Sequence, residues 1–175
     1  MSPSQPIRAM LSGGDRRSIG RACEVLELVR RHPEGSRVLI QCLWDSDPRV
    51  AMRAADVMEK FSRERAPLLQ RYKDALVDLA AETAQQELRW HLAVTIPRLH
   101  LTTAECSRFA EILHGYLDDR SSIVKTFAMQ GLFDLTTQHP AIQVEVTELI
   151  RSLTRTGTPA MRARGRHLLK LLEPR

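Results

Sequence analysis

Hydrophobic residues recur along most of this chain three or four positions apart, which is the spacing of an amphipathic α-helix. No segment alternates polar and apolar residues for long enough to indicate a β-strand. The pattern therefore predicts an all-α protein. A typical segment has its apolar residues on one helical face, at Leu68, Leu69, Tyr72, Leu76 and Leu79.

Polar capping residues and prolines mark where the helices begin. Asp47 before Pro48 is typical of an N-cap with proline at the first helical position, where the missing N–H costs nothing. Thr158-Pro159 repeats this arrangement, and Thr102 with Glu105 matches a capping box. These signals predict nine helices, at about residues 18–31, 35–44, 48–61, 67–82, 85–98, 103–117, 121–137, 141–154 and 159–172.

The first 18 residues have a different composition, rich in Ser, Pro and Gly. Such a segment has little apolar surface to bury. We expect a flexible arm over residues 1–18, with at most one helical turn at residues 7–11. A single repeat domain is expected over residues 19–175.

The predicted helices repeat. The helix beginning at Val50 can be laid over helices beginning at Leu88, Val124 and Met161, in steps of 38, 36 and 37 residues. A second amphipathic helix separates successive copies, and a two-helix unit of this length is typical of an α-solenoid. Each copy has small residues that allow close helix packing, namely Ala54, Ala55, Ala93, Ala128 and Gly165.

The Asp-Pro-Arg-Val sequence at residues 47–50, leading to Ala54-Ala55, resembles the consensus of HEAT repeats. Arg89, Lys125 and Arg162 fall at the usual basic position of that family. The signatures of ankyrin and tetratricopeptide repeats are absent from the sequence.

The HEAT resemblance covers about residues 19–172. It implies a right-handed α-α superhelix of about four helix pairs plus a C-terminal capping helix. Segments 14–20, 86–91 and 119–124 also resemble a group of bacterial HEAT-like proteins. That second resemblance implies the fold and no activity.

Composition excludes several classes of protein. The 175 residues fit one domain, and no stretch approaches the roughly 18 to 20 apolar residues that a membrane span needs. The segment before residue 19 carries three arginines and no hydrophobic core, unlike a secretory signal. Three widely spaced cysteines cannot form a disulfide framework and indicate a reducing compartment. We expect a cytoplasmic protein with no membrane partner.

The sequence contains no phosphate-binding loop, nucleophile elbow or His-Glu-x-x-His motif. The six histidines fall in different helices or turns, with no cysteine at a metal-ligand spacing. Cys23, Cys42 and Cys106 lie in or beside apolar positions, so we expect them to be buried. We expect no enzyme activity, no cofactor and no metal.

The HEAT resemblance also implies a structural role for several charged residues. In that family a turn Asp commonly bonds the basic residue of a neighbouring unit, and the resulting ladder holds the repeats in register. The candidates for this ladder are Asp47, Arg89, Asp118, Asp119 and Lys125.

Trp90 and His91 are the most distinctive local feature. In the repeat register His91 aligns with Arg53 and Arg164, so these residues could form a polar line across successive helices. One interpretation is a recognition ridge anchored by Trp90, since Trp and Arg dominate binding hot spots. The alternative is that Trp90 packs between repeats while His91 and Arg53 are ordinary solvated residues.

Positive charge is concentrated at the C-terminus. The net charge is +5, and residues 151–175 hold 7 basic and 1 acidic side chains, against 12 and 16 in residues 41–150. One interpretation is the polar outer face that ends a stack of repeats. The other is a docking patch for phosphate or an acidic partner. A membrane-surface helix is disfavoured, because its leucine face is needed to close the solenoid. The patch comprises Arg162, Arg164, Arg166 and Lys170.

We therefore expect a non-enzymatic scaffold or adaptor that binds another protein, with an acidic segment docking on this helix. The alternative is a HEAT-like protein that binds the DNA backbone through the same arginines. Similarity to HEAT-like DNA glycosylases is loose, since neither their catalytic aspartate nor their aromatic pair can be matched. The second helices of each pair, expected on the concave side, also mix basic and acidic residues. A third interpretation is a regulatory HEAT protein acting on an enzyme, like the lyase-type proteins of pigment attachment, although no pigment or thiol site is recognised.

Overall fold

A computed structural model describes residues 4–13 and 20–172. Within these residues every regular element is helical, and no β-strand is present. Short 3₁₀ turns lie at Pro33–Gly35, Cys42–Trp44, Gln70–Tyr72, Ile96–Arg98 and Pro140–Ile142. The α-helices are α1 (Ser4–Leu11), α2 (Ala22–Arg31), α3 (Ser36–Gln41), α4 (Pro48–Leu69), α5 (Lys73–Glu82), α6 (Gln86–Thr95), α7 (Thr103–Tyr116), α8 (Ser122–Leu135), α9 (Gln143–Thr156) and α10 (Pro159–Leu172).

The helices pack as two rows. The even-numbered helices α2, α4, α6, α8 and α10 lie side by side, each in extensive contact with the next. The odd-numbered helices form the other row and touch one another much less. Because helices on the inside of a curve are closer together, we call the even-numbered helices the inner row and the others the outer row.

Each outer helix pairs with the inner helix that follows it. Helix α7 packs against α8, and α9 against α10, whereas α6 and α7 hardly touch. The predicted all-α solenoid is therefore confirmed, but the described helices form five pairs, with α10 as the inner member of the last pair. The helices that the sequence assigns as second members of each pair are first members instead, because α1 shifts the pairing by one helix.

The N-terminal segment differs from the flexible arm that the sequence predicts. Residues 4–11 form a helix in which Ile7 and Leu11 are fully buried against α2, α3 and α4. Arg8 Nε and Nη2 donate to the carboxylate of Asp45 at 2.6 and 3.0 Å. Two apolar residues are too few to show a helical period in a segment of polar composition. A helix this short is stabilised by its packing and not by helix propensity. Residues 1–3 and 14–19 lie outside the described residues, and the single domain over 19–175 stays a prediction.

The helix starts predicted at Asp47, Thr102 and Thr158 are confirmed by their caps, whereas the start predicted at residue 67 is wrong, because α5 begins at Lys73. Asp47 Oδ1 accepts the backbone N–H of Arg49 at 2.9 Å, with proline at the first helical position. Thr102 and Glu105 make both hydrogen bonds of the capping box, at 2.7 and 3.3 Å. Thr158 Oγ1 accepts the N–H three residues on, at 3.3 Å.

Helix α4 runs longer than expected, because no loop separates residues 61 and 67. Its last turn is set off by a kink at Arg65, which has φ −134° and ψ 34°. Pro67 lies just beyond, and it lacks the N–H that a continuous helix requires. Residues 66–72 therefore comprise the last turn of α4 and a 3₁₀ turn, and α5 begins at Lys73.

Close approaches between helices occur at two glycines. A Cβ atom added to Gly131 of α8 would lie 2.3 Å from the carbonyl oxygen of Ala93 in α6. One added to Gly165 of α10 would lie 2.0 Å from Thr154 Oγ1 in α9. Glycine is therefore required for the spacing of these helices, as the small-residue pattern predicts for Gly165.

The cysteines are all free, and two of the three are buried as expected. Cys42 and Cys106 pack in the core, and burial raises the pKa of the Cys42 thiol to about 11. Cys23 is exposed, contrary to the prediction, because it lies on the side of α2 away from the core residues Ala22 and Val25.

Candidate partner-binding surface

The structure brings Arg89 and Asp119 of the predicted ladder together. Arg89 Nη1 in α6 donates to Asp119 Oδ2, before α8, at 2.6 Å. Arg89 Nε donates to the carbonyl of Thr83 at 2.8 Å, and its guanidinium lies 5.3 Å from the centroid of the Tyr116 ring. Burial raises the pKa of Asp119, but hydrogen bonds from the Ser121 N–H and Arg89 outweigh burial and hold this pKa below its ordinary value.

Two other contacts join the same ends of the inner helices. Gln85 Nε2, before α6, donates to the carbonyl of Pro48 at the start of α4, at 2.8 Å. The hydroxyl oxygens of Ser122 and Thr158, at the starts of α8 and α10, lie 2.8 Å apart. Sequence reasoning missed Gln85 and Ser122, although the repeat register placed them beside helix starts. Helices α4, α6, α8 and α10 are thus linked in succession at their N-terminal ends.

The remaining ladder candidates do not reach a neighbouring repeat. The Asp47 carboxylate bonds the side chain and N–H of Arg49 in its own turn, which lowers the pKa of Asp47 to about 2. Asp118 is exposed and Lys125 is partly buried. Neither side chain forms a hydrogen bond or ion pair with another described residue. The positive charge of Lys125 nevertheless helps to lower the pKa of Asp119.

Arg53 is not available to a partner. Its side chain is 1% exposed, and its Nη1 donates to the carbonyls of Leu11 and Gly13 at 2.7 and 2.6 Å. A Cβ atom added to Gly20 would lie 3.3 Å from the guanidinium of Arg53. The prediction that Arg53 contributes to an exposed ridge is therefore wrong, because its side chain is buried beside Leu11, Gly13 and Gly20.

Trp90 and His91 are each partly buried. Trp90 packs against the core, and its ring meets the His91 ring edge to face with centroids 5.6 Å apart. Burial lowers the pKa of His91 to about 4, against a smaller opposing effect of Asp56 and Glu59 on α4. His91 thus lies at the junction of α6 with the preceding inner helix.

Arg164 occupies the corresponding position on α10. It is partly buried, and its Nη1 donates to Gln130 Oε1 on α8 at 3.1 Å. Arg53, His91 and Arg164 therefore share a register position that faces the preceding repeat. The polar line predicted as a recognition ridge is mainly a series of contacts between repeats.

The other basic residues of α10 point to solvent. Arg162, Arg166 and Lys170 are exposed, and none forms a hydrogen bond or ion pair with another described residue. The opposite face of the helix is buried through Met161 and Leu168. We call Arg162, Arg166 and Lys170 the α10 basic surface.

Basic residues near the middle of the inner row are neutralised locally. Lys60 Nζ lies 2.7 Å from Asp56 Oδ2 on α4. Arg63 and Arg98 both donate to Glu59 Oε1, at 3.0 and 2.7 Å. The α10 basic surface differs from this region, since no acidic residue occurs between 149 and 172.

Within the described part of the chain, no group of three or more His, Cys, Asp or Glu side chains has the geometry to hold a metal ion. Among the helices of residues 4–13 and 20–172, none combines the length and apolarity needed to cross a membrane.

A family model described as a HEAT repeat domain matches residues 7–172, starting inside α1. The chain belongs to the HEAT repeat family. Its fold is also similar to the crystal structure of an engineered protein, with a TM-score of 0.63 and 17% sequence identity over 94% of this chain and 76% of that one. No curated protein matches the sequence. HEAT repeats generally mediate protein–protein interactions.

The HEAT repeats are tied a second time, near the C-terminal ends of their inner helices. Arg98 Nη1 donates to the Glu59 carbonyl at 2.9 Å, in addition to its bond with the carboxylate. Gln138 Nε2 donates to the carbonyls of Pro97 and Leu99 at 2.7 and 2.9 Å. Sequence reasoning missed these residues because Arg98 and Gln138 do not occupy equivalent positions in the repeat. These contacts link successive repeats of the HEAT domain at a second level.

Proposed function

We propose that this HEAT protein is a non-enzymatic scaffold that binds an acidic segment of another protein on the α10 basic surface. The observation that carries the proposal is the exposure of Arg162, Arg166 and Lys170, none of which pairs with an acidic side chain among the described residues. The three free cysteines support a reducing compartment, and we propose the cytoplasm.

The spacing of the α10 basic surface suits a short linear partner. Its residues occur four positions apart along one helix, so they extend over about 12 Å at the usual helical rise. Arg guanidinium groups can form paired hydrogen bonds with carboxylates. An acidic helix with carboxylates one turn apart, or a short acidic extended segment, would match this spacing.

The distribution of charge favours a protein partner over a nucleic acid. Backbone binding to a nucleic acid uses a series of phosphate contacts along a positive track. The inner row instead places the carboxylates of Asp56 and Glu59 among its basic residues. A short acidic peptide, which needs only a few contacts, fits this surface better than a long nucleic-acid backbone.

The test is fluorescence anisotropy with a labelled oligoglutamate peptide and with a single-stranded oligonucleotide of equal charge. We expect saturable peptide binding at about 50 mM salt that weakens at about 200 mM, because mobile ions screen exposed charges. Reversal of the surface by Arg162→Glu, Arg166→Glu and Lys170→Glu should weaken peptide binding at least about tenfold.

The matched control reverses three other exposed basic residues, Arg31, Arg65 and Arg120, and changes the net charge equally. The affinity of this control for the peptide should be within about threefold of that of the unchanged protein. Equal losses in both triple variants would show a general charge effect and contradict the proposal. Tighter binding of the oligonucleotide than of the peptide would favour the nucleic-acid alternative.

A further inference from the structure

Gaps between helices of the outer row are bridged by opposite charges in the middle of the molecule. Helices α5 and α7 are joined by Arg108 Nη2 and Asp78 Oδ1 at 2.7 Å, and by Lys73 Nζ and Glu105 Oε1 at 2.5 Å. The next gap has His114 Nε2 and Glu145 Oε1 4.0 Å apart, between α7 and α9. In the first gap each wall supplies one cation and one carboxylate, and in the second an imidazole faces a carboxylate.

The gap preceding α5 is different, because it is open and has arginine on both walls. It forms a groove of about 580 Å³ between the start of α3 and residues 67–72, at the end of α4 and in the 3₁₀ turn that follows it. This volume is typical of a ligand-binding cleft. The residues that line it include Pro33, Glu34, Arg37, Pro67, Leu68 and Arg71. We call it the Arg37–Arg71 groove.

Arg37 lies on the α3 wall and Arg71 on the opposite wall, and both are exposed. Neither forms an ion pair with another described residue, while the Arg71 guanidinium lies 5.9 Å from the centroid of the Tyr72 ring. Glu34 is the one acidic residue among those lining the groove, and its Oε1 lies 3.4 Å from His32 Nδ1. Two arginines and one glutamate therefore line the groove, which gives its lining a net charge of +1.

The floor of the groove provides apolar surface beside these charges. Leu68 is 38% exposed, and the side chains of Val38 and Tyr72 are partly buried against the core. Pro33 and Pro67 stiffen the two walls, because proline fixes its backbone φ. A groove with rigid walls loses little entropy when a ligand enters it.

We propose that the Arg37–Arg71 groove binds an acidic segment of another protein that inserts an aliphatic side chain against Leu68. The carboxylates of the segment would pair with the two arginines, and the aliphatic side chain would cover the exposed leucine. Two cations beside an apolar floor complement such a peptide, whereas a nucleic acid would leave the floor without a matching group. This site is on the outer row of the N-terminal half and does not depend on the α10 basic surface.

The experiment uses a short labelled peptide in which Glu alternates with Leu, measured by anisotropy. The starting protein carries Arg162→Glu, Arg166→Glu and Lys170→Glu, so that the α10 basic surface cannot account for binding. Adding Arg37→Glu with Arg71→Glu should lower the affinity for the peptide at least about tenfold. Adding Leu68→Ser instead should lower it about threefold or more. Peptides with Gln in place of Glu, or Ser in place of Leu, should also bind more weakly.

The matched control adds Arg120→Glu and Arg155→Glu, two exposed arginines away from the groove, and should leave binding unchanged. The charge-conserving pair Arg37→Lys and Arg71→Lys should retain binding, and melting followed by circular dichroism verifies that every variant is folded. Unchanged binding in the Arg37→Glu, Arg71→Glu variant would overturn the proposal. Equal binding of the Ser-containing peptide, or tighter binding of a single-stranded oligonucleotide through the same arginines, would also overturn it.

Discussion

At the scale of single residues, burial distinguishes ion pairs that have nearly equal lengths. The Arg89–Asp119 pair, at 2.6 Å, has side chains 29% and 10% exposed. The Arg108–Asp78 pair, at 2.7 Å, has side chains 55% and 54% exposed. Water and salt screen the second pair more strongly, so the two pairs should contribute unequally to stability.

We therefore expect Arg89→Ala to lower the free energy of unfolding by about 1–3 kcal/mol, because it leaves the Asp119 carboxylate without its charged partner. The matched variant Arg108→Ala should cost under about 1 kcal/mol. Chemical denaturation of both variants measures the difference. Equal losses would contradict a structural role for the ladder contact.

His91 should make the stability of the protein depend on pH. Burial lowers its folded-state pKa to about 4 from an ordinary 6.5, so below pH 6.5 the unfolded chain binds a proton that the folded chain resists. The free energy of unfolding should therefore fall, relative to that of His91→Gln, as the pH drops from about 6.5 to 4. We expect a relative change on the order of 1–2 kcal/mol, discounted for partial exposure.

Denaturation of the protein and of His91→Gln at several pH values tests this expectation. The matched variant His167→Gln removes an exposed imidazole from α10. A gap between the unchanged protein and His91→Gln that stays constant from pH 7 to pH 4 would contradict the buried position of His91. Subtracting the free energy of unfolding of His91→Gln from that of the unchanged protein at each pH removes the contribution of the acidic residues, which both proteins share.

The sequence could predict the type of each site residue but not its burial. Arg53 and Arg166 both lie on helices of the inner row, and both were assigned to partner binding. Arg53 is covered by α1, whereas Arg166 lies on the outer edge of the last repeat. That difference depends on which elements neighbour each helix, and a repeat register alone contains no such information.

At the scale of helices, close packing in this array depends on glycine, which has no side chain at the point of contact. Gly131 allows α8 to approach the backbone of α6 at Ala93, while Gly115 in α7 has open space where a Cβ would lie. Both glycines are within α-helices, so alanine at either position has the same benefit to helix propensity. The two substitutions therefore isolate the effect of helix packing.

We expect Gly131→Ala to destabilise the protein by about 1–3 kcal/mol, because the added methyl collides with a backbone oxygen. Gly115→Ala should stabilise it by about 0.5–1 kcal/mol, through its higher helix propensity. Thermal and chemical unfolding measure both changes. If Gly131→Ala stabilises the protein, α6 and α8 do not approach each other as closely as this contact requires.

Helices with several turns of apolar periodicity and a cap were predictable from the sequence, and α7 with its capping box is an example. The short helix α1 was not, because Ile7 and Leu11 gain their significance only when α2, α3 and α4 are present to cover them. The extension of α4 past residue 61 was not predictable either, because a proline such as Pro67 occurs both at helix starts and at kinks within helices.

At the scale of the whole molecule, the fold combines a cross-linked array with unpaired positive charge at specific surfaces. Contacts at both ends of the inner helices hold successive repeats together. Charges in the middle of the array are mostly satisfied within it, whereas the α10 basic surface pairs with no acidic side chain in the described part of the chain. This arrangement explains why binding, and not stability, should respond to reversal of the α10 charges.

The most direct measurement is a nuclear magnetic resonance titration of the isotope-labelled protein with oligoglutamate. The account predicts saturable shifts of backbone amides concentrated in α10, which disappear in the Arg162→Glu, Arg166→Glu and Lys170→Glu variant. The Arg164→Gln variant should keep them, because Arg164 is already bonded to Gln130 within the array. Shifts that fail to saturate, or that centre on other helices and persist in the triple variant, would contradict the assignment of α10 as the docking surface.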